Sequence, residues 1–433
     1  MVTHTLIPIA FVVLMPRHKS GTMSTPPGTG YVGCLTPEQK QCLKDVWAAV
    51  LTFLLANEST PDPRKPREQS KKHRDGASKR APEMTFCQYD PMAELVPKNR
   101  GDYGLYGVAL REALWSNALG DHPDALFLRF LRYHNWNVER GLDMLMRGLR
   151  WRVNFGVGEL ATKNEDDLEK KYSAFRHQLK SGKVFLYGRD KMGRVVVYCT
   201  ARRHKSSDQP EVTTEKFFVY MLECLRLLLH PHEEACIVLD LAGLSIGNID
   251  LKFIKFVLLC MQNHYPGSVG RFVVLDPPLA FQGIWTVIRP WLSRSFAAKV
   301  RFERQETDLL KYIDAETLPV MFDGGKALCK FKYVPPLPGE NDCMMDTSTR
   351  ELLRARWRSR LWRLEALLRE WVVSTTKETE HARAEGVIEA EMEETTKAIR
   401  VAYFKLRPYI HAKTPYERSE HRPLKQDGEV VWS

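Results

Sequence analysis

Two carboxylates come first among residues able to do chemistry. Asp240 closes the run ACIVLD and Asp276 follows RFVVL. Carboxylates at strand ends can form an acid–base pair. In the same positions they can simply cap the next turn by accepting backbone N–H bonds. His230 and His232 flank Pro231, but no further residues at metal-ligand spacing accompany them, so a surface loop and no metal site are expected. The chain has no P-loop and no HExxH. No catalytic residue stands out, and the chain reads as a non-enzyme.

Apolar side chains carry more information. Phe253, Phe256, Val257, Leu258 and Leu259 leave one helical stretch with little polar face, and Trp285, Val287, Ile288, Trp291, Leu292 and Phe296 do the same further on. A helix apolar nearly all round is either sandwiched in a core or lines an apolar cavity. Trp285 and Trp291 also suit a membrane-facing gate, because indole rings favour the interface.

These residues lie in a region where short β-branched runs alternate with helical ones. Residues 184–200, VFLYGRDKMGRVVVYCT, form two apolar runs around Asp-Lys-Met-Gly, a hairpin signal. A helical stretch over 213–230, the ACIVLD strand, a helix ended by Pro266 and the RFVVL strand follow. Residues 281–302 read as helical through an interior Pro290. Such alternation predicts an α/β domain over 170–330 with a mixed, partly parallel sheet.

Around that domain the chain divides by composition. Residues 1–33 read as a flexible N-terminus whose apolar run 6–15 is too short to span a bilayer. Residues 34–57 form an amphipathic helix with Thr36 as N-cap, Pro37 in the first turn and Gln39 at the third position. Residues 58–83 are a basic insert without an apolar face, expected to be disordered. A helical lobe at 84–160, with Asp124 near an N-cap, precedes the α/β domain. A Pro-rich connector (331–347), two charged helices (348–410) and a tail (411–433) follow it.

The 433 residues are 44% hydrophobic and 27% charged, ordinary globular values that exclude wholesale disorder and a multi-spanning membrane protein. Nine cysteines include no CxxC pair, which fits thiols acting as small core residues in a reducing compartment. The formal charge of +11 suits an anionic surface. With no nucleic-acid recognition motif and no interleaved surface aromatics, that surface is taken as a membrane, not nucleic acid.

The ordered words FLRFLRYHNWNVERGLDMLMRGLRWRVNFGV, SGKVFLYGRDKMGRVVVY, IVLDLAGLSIGN, NHYPGSVGRFVVLDPPLAFQGIW and TLPVMFDGG resemble the CRAL-TRIO lipid-binding family. They look like its fungal phosphatidylinositol transfer type, Sec-fourteen-like and, in FQGIW and VPPLPGEND, CSR-one-like. The resemblance implies a helical N-terminal lobe and an α/β lobe whose sheet floors a hydrophobic pocket. A gate at Phe281–Phe296 would close over one lipid. Pocket and gate residues would be Phe253, Phe256, Val257, Phe281, Trp285, Ile288, Trp291 and Phe296. Burying acyl chains yields about 0.8 kcal/mol per CH₂, enough to compete with a bilayer.

At the headgroup the sequence departs from the family. The family's Arg-Lys pair corresponds to His134 and Asn135, its Glu to Gly267 and its Thr to Phe296, and only Lys299 matches. Arg129, Arg132, Arg289 or Arg294 either take over the phosphate contact or are solvated helix-face charges. Phosphatidylinositol is therefore expected to be held weakly. The resemblance implies a bound lipid, a phospholipid or another hydrophobic lipid, rather than a cofactor. It also implies a cytoplasmic, peripherally membrane-associated carrier that extracts and exchanges single lipids. The alternative is a non-transferring lipid sensor or scaffold that meets a protein partner through 348–410.

Overall fold

A computed structural model describes residues 28–55, 103–118, 120–329, 331–374, 385–418, 424 and 429–430. The basic insert 58–83 and most of the expected flexible N-terminus lie outside the described residues.

Among the described residues, four helices build the N-terminal lobe: α1 (Pro37–Leu55), α2 (Gly107–Ala118), α3 (Pro123–Tyr133) and α4 (Val138–Phe155). α1 starts in a reciprocal capping box, with the Thr36 hydroxyl accepting from Gln39 N at 3.3 Å and Gln39 Oε1 accepting from Thr36 N at 2.9 Å. Its Leu43, Val46, Trp47, Val50 and Leu51 are buried as one face. α3 is capped by His122, whose Nδ1 accepts from Asp124 N at 3.2 Å. The Asp124 carboxylate instead accepts from Trp47 Nε1 at 2.7 Å, tying α3 to α1. Between α3 and α4 the chain turns through Asn135 and Trp136, both at positive φ. α4 is capped by Asn137 and closed by Gly156, whose φ of +75° is the left-handed conformation glycine adopts most readily.

Three short helices, α5 (Val157–Thr162), α6 (Glu165–Lys171) and α7 (Phe175–Lys180), lead to the sheet. Its strands are β1 (Val184–Arg189), β2 (Val195–Thr200), β3 (Ala235–Asp240), β4 (Val269–Leu275) and β5 (Val300–Glu303), in that spatial order. β1 and β2 form the antiparallel hairpin, and every later pair is parallel. Asp190 shapes the hairpin turn by accepting from Met192 N and Arg194 N, each at 2.9 Å. The crossovers are α8 (Glu211–Leu229), α9 (Leu251–Asn263) and the pair α10 (Phe281–Ile288) and α11 (Arg294–Ala297). Sequential strand order with right-handed crossovers puts all of them on one face. Side chains alternate accordingly: Val197 and Ile237 face the helices, while Val196, Tyr198 and Val238 pack on Leu309, Ile313, Leu318 and Phe322 behind the sheet. Burial on both faces is why these strands read as unbroken apolar runs.

Residues 281–302 are not one helix. α10 stops at Ile288, a 3₁₀ turn holds Pro290, and Ser293 caps α11. Pro290 cannot continue a helical ladder because it lacks an N–H. The VRFE run then pairs with β4 as the edge strand.

The charged C-terminal helices, α12 (Thr347–Val373) and α13 (Glu385–Leu406), return to the N-terminal lobe. Leu361, Leu364, Leu367, Leu368 and Trp371 share one core with α1–α4. Glu365, buried among them, accepts from Arg111 Nε at 3.0 Å, Arg111 Nη2 at 3.1 Å and Trp115 Nε1 at 3.0 Å. The described start of the tail is also anchored. In α14 (Pro415–Arg418) the Tyr416 hydroxyl accepts from Leu186 N at 3.2 Å, and buried Arg418 pairs with Glu165 and Glu340.

Candidate functional site

A cavity of about 280 Å³ lies between the helix-bearing face of the sheet and α10. About 10–15 Å³ on this scale holds one water, so the space is far larger than a packing defect. Every second strand residue forms the floor: Leu186, Val197, Cys199, Ile237, Leu239, Phe272 and Val274. α8 contributes Phe217, Phe218, Met221, Leu222 and Leu225, and α9 contributes Phe253, Ile254, Val257, Leu258 and Met261. Phe281, Ile284, Trp285 and Ile288, spaced i, i+3, i+4, i+7 on α10, make the roof, continued by Leu292 and Phe296. Burial pushes the Cys199 thiol up to about 12, so it stays protonated and inert as a nucleophile.

Six of the residues singled out in the sequence, Phe253, Val257, Phe281, Trp285, Ile288 and Phe296, line this cavity. Phe256 points away from it, between Phe155 and Phe218 at ring distances of 6.0 and 6.2 Å. Trp291 sits in the roof's 3₁₀ turn, where its carbonyl accepts from Gln262 Nε2 at 3.1 Å.

The basic candidates separate. Arg129 and Arg132 converge on Glu233, whose Oε2 accepts from Arg129 Nε at 3.3 Å and from Arg132 Nη2 at 2.5 Å. Lys299 pairs with the adjacent Glu234 at 3.3 Å. Arg132 also donates to Gly30 O at 2.6 Å, and its guanidinium lies 4.2 Å from the Tyr31 ring centroid. None of these groups lines the cavity. A Cβ on Gly267 would lie 3.6 Å from Arg129 Cγ, so the acid partner of the arginines comes from 233 instead of 267. His134 lies elsewhere, with Nε2 3.1 Å from Met144 Sδ, and burial lowers its pKa. Arg289 is exposed at the end of the roof helix.

Asp240 acts as a cap, accepting from Ala242 N at 2.9 Å and pairing with Arg202 at 3.1 Å. Asp276 is exposed at φ +47°. Four polar residues that sequence reasoning passed over, Lys183, Thr200, His204 and Asn248, stand at one end of the cavity. Their one sequence signal was a lysine leading into an apolar strand.

A lobe whose mixed sheet floors an apolar cavity and whose short helix roofs it defines a container for an apolar molecule. Residues 179–324 match the CRAL/TRIO domain family, and residues 87–147 match the CRAL/TRIO N-terminal domain. The chain is 33% identical over 311 residues to a CRAL-TRIO domain-containing protein of Schizosaccharomyces pombe, covering 71% of this chain and 68% of that one. It is 31% identical over 317 residues to the phosphatidylinositol transfer protein CSR1 of Eremothecium gossypii, covering 72% and 71%. The Sec14 cytosolic factor of Schizosaccharomyces pombe is 26% identical over 223 residues, covering 48% and 76%. The chain belongs to the CRAL-TRIO family.

Proposed function

We propose that this protein binds single lipids in the cavity beneath α10 and transfers them between membranes, without covalent chemistry. The apolar lining of that cavity carries the reading. Kinship with a phosphatidylinositol transfer protein and a Sec14 cytosolic factor supports it. The test is transfer of a labelled lipid between vesicles, with Ile237→Trp filling the floor. The wild type is expected to transfer, and the variant to lose most of the rate, since a Trp adds bulk where the acyl chain would lie. Equal rates would place the lipid elsewhere. In the same assay phosphatidylinositol is expected to move more slowly than a neutral lipid. Arg129 and Arg132 are already paired with Glu233, and the missing charge-assisted contacts are each worth about 1.5–3 kcal/mol. Faster transfer of phosphatidylinositol would contradict this.

The roof is the proposed membrane contact. Leu279 is 86% exposed just before α10, Val287 is exposed on it, and Arg289, Arg294 and Arg301 stand around it. Basic residues near an anionic surface contribute about 1 kcal/mol each and are screened by salt. Binding to anionic vesicles is expected to weaken as salt rises, and amide exchange over 281–296 to change when vesicles are added. A flat salt response with unaltered exchange would remove this contact.

A further inference from the structure

We propose that Lys183 and His204 hold the polar end of the cavity's ligand, and that this end is an acid, a carboxylate or a phosphate monoester on a long apolar body. The inference rests on the container reading above and specifies what the container takes.

Lys183 is 6% exposed and borders an otherwise apolar cavity. Its backbone is fixed in the hairpin, with its carbonyl accepting from Thr200 N at 2.8 Å. Its ammonium lies 3.2 Å from His204 Nδ1 and 5.4 Å from the Phe217 ring centroid. No ion pair joins it to a carboxylate among the described residues, and Asp208 and Asp250 act on it only from longer range. Burial lowers its pKa to about 8, so at neutral pH it is still mostly a cation.

A buried ammonium has three donors and no acceptor capacity. Here His204 accepts one donor, and no further hydrogen bond to the ammonium is formed among the described residues, an arrangement that is costly unless an anion completes it. His204 is held in place from two sides. Its ring stacks on Phe253 at 5.3 Å, and Asn248 Nδ2 donates to its backbone carbonyl at 2.7 Å. Its Nε2 is buried without a hydrogen-bond partner, 3.8 Å from Asp250. Thr200, also buried, borders the same end.

This pole lies away from Lys299. Thr200, Asp240 and Leu275 are in register at the C-terminal edge of the parallel strands, whereas Lys299 sits beside Val269 at the opposite edge. A ligand held at Lys183 therefore points its head away from the Arg129–Arg132–Glu233 cluster. A neutral head, such as an alcohol, would leave the ammonium without an anion in direct contact.

The experiment uses the full chain, stripped of lipid and loaded with the neutral fluorescent probe N-phenyl-1-naphthylamine. Oleate, oleyl phosphate and oleyl alcohol share one apolar body and compete for it. The acids are expected to displace the probe at concentrations at least about tenfold below the alcohol, a typical margin for one charge-assisted contact. The tighter of the two acids identifies the head. Lys183→Met is expected to bring the acid and alcohol midpoints together, and Lys183→Arg to keep them apart. Equal displacement by all three compounds in the wild type overturns the inference, as does an acid preference that survives Lys183→Met. Should Lys183→Met lose its thermal transition, the wild-type comparison and His204→Gln decide instead, the latter with a reduced acid preference. Probe uptake without acid preference sinks this inference alone. Uptake of neither probe nor lipid sinks the container reading and this inference with it.

Discussion

Ending the chain at Asp346 is expected to abolish the cooperative fold of the N-terminal half. α12 and α13 place Leu361, Leu364, Leu367, Leu368, Trp371, Ile388, Met392 and Ile399 in the same core as α1–α4. Burying each such side chain is worth about 1.5–3 kcal/mol, so the eight together exceed about 10 kcal/mol. That is comparable to the whole net stability of a domain, about 5–15 kcal/mol. The truncation also removes Glu365 and leaves Arg111 and the buried Trp115 N–H without their acceptor. Circular dichroism melts and limited proteolysis of residues 1–346 provide the measurement. A shortened chain that melts cooperatively near the full-length midpoint would contradict the expectation.

Glu223→Gln is expected to destabilise the protein by about 3–5 kcal/mol, the usual result of breaking a buried ion pair. Glu223 on α8 receives Arg152 from α4 through two bonds, at 2.9 and 2.8 Å, and the Tyr265 hydroxyl at 2.7 Å. Arg226 adds a contact at 3.2 Å and itself donates to Asn117 of α2 at 3.1 Å. The network joins the helical lobe to the sheet lobe through buried charge. Burial works against the carboxylate, but Arg152 and Arg226 outweigh it and hold its pKa down to about 2. A folded value below the unfolded one, about 4.3, means stability that is present above that pH and lost as pH falls towards 2. On the same scale the loss approaches about 3 kcal/mol. Urea midpoints of the wild type should therefore fall between about pH 5 and pH 2, and those of the variant should fall less steeply. Identical slopes would show that Glu223 does not carry the acid sensitivity.

Patterns local in sequence were legible before any coordinates. The Thr36–Gln39 box, the hairpin around Asp190 and the alternating strand and helix units are each written within a few residues. The apolar residues of α9 and α10 were legible because their faces lack polar positions. What escaped depends on partners far along the chain. VRFE is too short to tell from a helix end until β4 pairs with it. Glu365 looks like any surface charge on an Arg-rich helix, and its burial becomes visible only when Arg111 and Trp115 arrive from 250 or more positions away. The Lys183–His204 pole required the β1–β2 register to bring two single residues together across a strand pair. Arg129 and Arg132 were legible as basic, but not as already satisfied by Glu233.

The return of α12 to the first helices has a consequence for the order of synthesis. Arg111 leaves the ribosome 254 residues before Glu365. At about 5–20 residues per second, the half-built lobe waits about 10–50 s for the helix that covers it. During that interval the buried faces of α1 to α4 are bare apolar surface on a nascent chain. The strands of the sheet lobe are consecutive and pair without such a wait, although Tyr416 reaches β1 only 230 residues after Leu186. The core of α1 to α4 is therefore sealed only after α12 has been made.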